Sequence, residues 1–173
     1  MRRIPYALAA IAAVAGILAS IGPSFGQAKR EGAAIFVDRI PAGYRDWKLV
    51  SVAHEEGNLH SFAAILGNEA AINAYRKGKL PFPVGAIIAA LHYSHVSSEE
   101  NNKAFGQPQS FVPGDPTNIQ FMVKDSKKYG ATGGWGFAHF KDGKPAGDAS
   151  MSTCFPCHNK TGASDFVFTR YAP

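Results

Sequence analysis

The stretch GAIIAALHYSHV, residues 85–96, decides the fold class. Ile87, Ala89, Leu91 and Tyr93 alternate with Ile88, Ala90 and His92, a period of two, so the segment is a strand. Both alternating sets are largely apolar, which predicts cover on both faces. Just upstream, Pro81 and Pro83 impose an extended connector. Before that, Asn68 is a good helix N-cap, Glu69 suits the first turn, and Ala70, Ala71, Ile72, Ala74 and Tyr75 follow at helical spacing until Gly78. A short helix is expected over 68–77. Residues 44–53 and 61–66 carry β-like apolar runs. Downstream, residues 97–118 are polar with glycine and three prolines and read as a long loop. Residues 119–123 and 135–140 read as two more strands, 142–150 as loop, and 165–168 as a short extended piece. Several strands with one or two helices give an α+β fold, mainly antiparallel β-sheet with a few short helices.

The 173 residues make one domain, and 46% hydrophobic content excludes disorder for most of the chain. Arg2 and Arg3 precede an apolar run over residues 7–21, then Pro23, Ser24, Gly26, Gln27 and Ala28. That is the layout of a secretory signal peptide, with cleavage expected near Ala28. The expected organisation is a signal peptide over 1–28 and one domain over 29–173. Loss of Arg2 and Arg3 lowers the formal charge from +5 to +3. So small a surplus, without basic runs interleaved with aromatics, gives no sign of nucleic-acid binding. No other stretch is long and apolar enough to span a bilayer. The mature protein is expected to be soluble and periplasmic, with no membrane contact after cleavage.

The chain has two cysteines, and both fall in Cys154-Phe155-Pro156-Cys157-His158. C-x-x-C-H is the attachment signature of c-type haem. Two thiols add across the haem vinyl groups, and the adjacent His158 reaches the iron as axial ligand. A redox dithiol calls for a βαβ setting, and here only a short tail follows the motif. A zinc site calls for a second ligand pair, and no further cysteine exists. One covalent haem c, held by Cys154 and Cys157, is therefore expected.

The chain resembles the cytochrome P-460 family, which includes the cytochromes c′-β. The resembling pieces are YRDW at 44–47, NAYRKGKLPFP at 73–83, GAIIAAL at 85–91, FMVKD at 121–125, GWGFAHF at 134–140 and CFPCHNKTGASDFVFTRYAP at 154–173. The last block is the most specific, and the resemblance covers nearly the whole mature chain. It implies a mostly β homodimer with one high-spin haem c packed against the sheet and an open distal side. It also implies action on hydroxylamine or binding of nitric oxide. Family members that oxidise hydroxylamine carry a haem-cross-linking lysine five residues beyond the glycine of the P-F-x-x-G turn. Counted from Gly85, that position is Ala90, which has no nucleophile. Lys77 and Lys79 precede the turn and read as surface charges.

The distal candidates are His92, Ala90, His139, Phe62 and Phe121. His92 shares the face of Ala90 and has three open readings: a hydrogen bond to a distal ligand, a sixth iron ligand, or a packed histidine. Phe62, Phe82, Phe121 and Phe137 either crowd the distal side or belong to the core. Met122 and Met151 are weaker iron-ligand candidates, and Arg170 is a candidate partner for a haem propionate. His54, His60 and His95 read as ordinary polar residues. Three functions remain: binding of NO or a similar small nitrogen ligand, oxidation of hydroxylamine or NO without the cross-link, or electron transfer to a periplasmic redox partner through six-coordinate haem.

Overall fold

A computed structural model describes residues 37–172. The leader expected over 1–28 lies outside the described residues. Six strands form one antiparallel sheet in chain order: β1 Lys48–Glu55, β2 Ser61–Gly67, β3 Ile87–Ser97, β4 Phe111–Lys124, β5 Trp135–Lys141 and β6 Lys144–Pro145. Four short helices accompany it: α1 Glu69–Arg76, α2 Glu99–Phe105, α3 Asp148–Met151 and α4 Cys154–His158. The α+β class expected from the sequence is the one observed. Among the described residues no helix is long and apolar enough to cross a membrane.

The alternation in β3 sorts the core as the sequence predicts. Ile88 and Ala90 pack with Ala63, Ile65, Met122, Trp135 and Phe137 on one face. That face is covered by α1 and the C-terminal segment. Ala89 and Leu91 pack on the other face with Phe121, Ala138 and Phe140, under Val37, Ile40, Tyr44 and Trp47. Val37 N–H donates to the Phe137 carbonyl at 2.7 Å, which fastens this N-terminal segment to the sheet.

Asn68 does more than cap. Its Oδ1 accepts from Ala71 N–H at 3.0 Å and from Ile87 N–H at 3.0 Å, while Nδ2 donates to the Gly85 carbonyl at 2.8 Å. One side chain thus starts α1 and ties it to the head of β3. Gly78, at φ +58, turns the chain out of the helix.

Four expectations need correction. Residues 97–118 are not a loop: they hold α2 and the first half of β4. Ser98 Oγ caps α2 by accepting from Asn101 N–H at 3.3 Å, and Gly106 ends it at φ +74. Pro113 and Pro116 are compatible with β4 because β5 pairs only with residues 119–124, leaving the first half bonded on one side. Both prolines fall where the β3–β4 register is irregular. Residues 142–150 likewise include β6 and part of α3. The run at 44–53 opens with a 3-10 turn, Tyr44–Asp46, and becomes strand only from Lys48. Residues 165–168 are not extended throughout: Asp165 and Phe166 take left-handed φ values of 53° and 66° and make a turn.

Candidate haem site

The C-x-x-C-H segment forms one helical turn, α4, which places Cys154 and Cys157 three apart on the same side. Cys154 is half-buried and Cys157 is exposed. His158 is half-buried between two aromatic rings, with Phe137 and Phe168 each 5.0 Å away between centroids. Its Nδ1–H donates to the Phe166 carbonyl at 2.7 Å, leaving Nε2 as the lone-pair nitrogen. Burial lowers the His158 pKa against the opposing pull of that carbonyl, so the ring is held neutral. A neutral imidazole with its second nitrogen fixed by a backbone carbonyl is the form in which histidine ligates a metal.

The Phe166 carbonyl is itself built into place. Asp165 accepts from Lys124 Nζ at 2.7 and 2.8 Å and from Phe82 N–H at 2.8 Å, and its own carbonyl accepts from Trp135 Nε1 at 2.7 Å. Lys124 Nζ also donates to the Gly133 carbonyl at 2.9 Å and lies 4.8 Å from the Trp135 ring centroid. Gly133 has no Cβ, and one would overlap the Phe166 ring. A buried ion pair and a bare glycine therefore hold the turn that aims His158.

Cys154 and His158 open onto a cleft between the C-terminal segment and the sheet, with about 680 Å³ of empty space including its mouth. Ala90 and His92 of β3, Glu55 of β1 and Gln120 and Met122 of β4 line the sheet side. His92 is 9% exposed and its Nε2 is buried without a hydrogen-bond partner. Its Nδ1 lies 3.6 Å from Glu55 Oε2, beyond hydrogen-bond range. Glu55 Oε2 accepts from Ser61 Oγ at 3.1 Å. Burial lowers the His92 pKa; Glu55 opposes the shift and His139 adds to it.

The family model for Cytochrome P460 matches residues 41–169, most of the chain. The chain belongs to the cytochrome P460 family. No match was found among curated proteins. Membership in the cytochrome P460 family implies a haem cofactor, and the residues present fit one. The lone-pair nitrogen of His158, the neighbouring Cys154 thiol and the largely apolar cleft between them and β3 supply an axial ligand, an attachment point and a wall for a macrocycle.

Of the distal candidates, the structure brings Ala90 and His92 to the cleft. Phe121 borders the cleft, but its ring packs edge-on against Tyr44, Trp47 and Phe140 on the opposite face of the sheet. Phe62 is also on that opposite face, 5.0 Å from the His54 ring, because its parity in β2 is opposite to that of Ala63 and Ile65. His139 shares a face with Phe137 but is outside the cleft, its Nδ1 3.0 Å from Ser150 Oγ. Phe137 and Met122 line the cleft; Met151 is buried elsewhere and Phe82 is core against Tyr75 and Trp135. Arg170 is exposed beside a second hollow with Lys79 and Tyr171.

Sequence reasoning missed Glu55, Gln120, Lys124 and Asp165. For two of them the signal was strand parity: Gln120 and Lys124 share the phase of Met122 in β4, and that phase faces the cleft side.

Proposed function

We propose that the chain is an exported mono-haem cytochrome c that binds nitric oxide, or a similar small nitrogen ligand, in this cleft. Cys154 and Cys157 would hold the haem by adding their S–H groups across its two vinyl bonds, a step that consumes no oxidant. His158 Nε2 would serve as the axial iron ligand. When bound, the haem supplies the iron on which the small ligand sits. The observation that carries the reading is the pairing, across one cleft, of a neutral, backbone-fixed His158 with a sheet wall that is small and apolar at Ala90. The Phe166 carbonyl keeps the His158 proton on Nδ1, and the Phe137 and Phe168 rings fix its plane. Ile65, Ile88 and Ala90 form the apolar part of the sheet wall, beside Glu55, His92 and Gln120, and favour an uncharged diatomic over a charged ligand there. Alanine at position 90, where the resemblance puts the cross-linking lysine, supports ligand binding over hydroxylamine oxidation. A homodimer and a periplasmic redox partner belong to the same reading.

A second reading is favoured by one observation: His92 Nε2 is buried and unpartnered in the cleft wall. Such a nitrogen finds its partner either in a bound ligand or in the iron itself, and the latter describes a six-coordinate electron-transfer haem. The absorption spectra of ferric and ferrous holoprotein, with and without NO, decide between them. The expected result is a high-spin spectrum that changes on NO addition. A low-spin spectrum, indifferent to NO and converted to high-spin by His92→Ala, overturns the first reading and establishes the second. Turnover of hydroxylamine with an artificial oxidant overturns the first in favour of an enzyme, with Glu55 and His92 as the proton-accepting groups at hand.

A further inference from the structure

Three histidines that the cleft does not use meet on the other side of the β1–β2 hairpin. His95 of β3 is the centre. Its ring stacks on Phe111 at 4.3 Å between centroids and meets Phe62 edge-on at 4.9 Å, which fixes its plane. The His54 ring is 4.4 Å away and the His60 ring 4.6 Å. His95 Nδ1 and His60 Nε2 are 3.3 Å apart. His54 Nε2 is 3.3 Å from Glu56 Oε1.

We propose that His60 and His95, with His54 and Glu56 beside them, form a second metal site, separate from the haem cleft, for a divalent transition ion of the zinc or copper(II) kind. The first argument is a length. Zinc–imidazole bonds of about 2.0–2.1 Å in a tetrahedron place two ligating nitrogens about 3.3–3.4 Å apart. The His60–His95 separation already has that value. The second argument is the backbone: His60 sits at φ +40, in the left-handed region that histidine, like asparagine and aspartate, enters more readily than other side chains. That conformation carries the ring at the end of the hairpin loop back to His95. The third is the donor set. Imidazoles with one carboxylate suit zinc and copper(II), whereas calcium and magnesium prefer oxygen alone. Among the described residues no three such groups already converge on one point. His54 is turned toward Glu56 instead, so the proposed site requires one of these two exposed side chains to rotate toward the His60–His95 pair.

Calorimetric titration of untagged holoprotein with zinc ions at neutral pH tests the site. On the proposed function the haem engages His158 and both cysteines in the holoprotein, so they do not compete. The expected result is one zinc bound per chain, weakened at least about tenfold in His60→Ala and in His95→Phe, the latter keeping the stack on Phe111. The haem spectrum should be the same in all three proteins. His60 is exposed, so its loss leaves the sheet intact. Absence of stoichiometric zinc binding by the wild type overturns the proposal. So does binding of equal strength in His60→Ala.

Discussion

Asp165 and Lys124 are 8% and 3% exposed, and each is the other's counter-charge. Breaking a buried pair strands one charge in a medium that cannot solvate it. Asp165→Asn keeps the shape and tolerates the left-handed backbone, so it isolates the charge. It should lower stability by about 3–5 kcal/mol in denaturant unfolding, and Lys124→Met in the same chain should recover part of the loss. The same substitution loosens the turn that offers the Phe166 carbonyl to His158, so the iron spectrum should broaden or shift as well. In the sequence, Cys154, Cys157 and His158 stood out by their C-x-x-C-H spacing, and in the fold Cys154 and His158 line one cleft. Asp165 and Lys124 did not stand out, since a pair formed 41 positions apart leaves no local pattern. For Phe62 and Phe121 ring chemistry alone left the distal side and the core both open; strand parity relative to Ala63 and Met122 decides which face each ring occupies.

Among the elements, α1 shows how much one side chain can join. Asn68→Ala removes the cap on Ala71 and both bonds to the head of β3, and should cost about 2 kcal/mol. Asn68→Asp keeps the two acceptor bonds and should recover at least half, as measured by thermal unfolding. At the Gly133 turn, Gly133→Ala should displace the Phe166 ring and weaken haem retention more than its modest change in volume suggests. The haem content of purified protein, from absorbance per mole of chain, checks this. α1 was readable from its Asn68 cap and Gly78 stop. α2 carries an equivalent signature, with Ser98 as cap, Glu99 and Glu100 in the first turn and Gly106 as stop. Pro108, Pro113 and Pro116 drew the reading toward loop. A proline excludes a central strand, but it is compatible with one bonded on a single side.

For the molecule as a whole, two histidines of the same sheet layer resist protonation. Burial lowers the pKa of His92 and of His139, with Lys141 adding to the shift at His139. In the unfolded chain both titrate near the ordinary value of about 6.5. Below that pH the unfolded chain takes up protons that the folded one refuses, so stability falls as pH falls. The melting temperature should be flat above about pH 7 and decline as the pH falls below about 6.5. His92→Leu should flatten part of that decline; an unchanged slope in this variant assigns the acid sensitivity elsewhere.

The sheet also has a timetable. Its strands lie side by side in the order in which they are made, so every strand pairs with one that already exists. No pairing waits for the C-terminal segment. Ala90, His92 and Met122, one wall of the cleft, stand on strands whose pairing is independent of the segment that carries Cys154, Cys157 and His158. The segment proposed to take the haem follows all six strands in the chain. On the proposed reading, the haem is attached to a segment on which no strand pairing of this sheet depends.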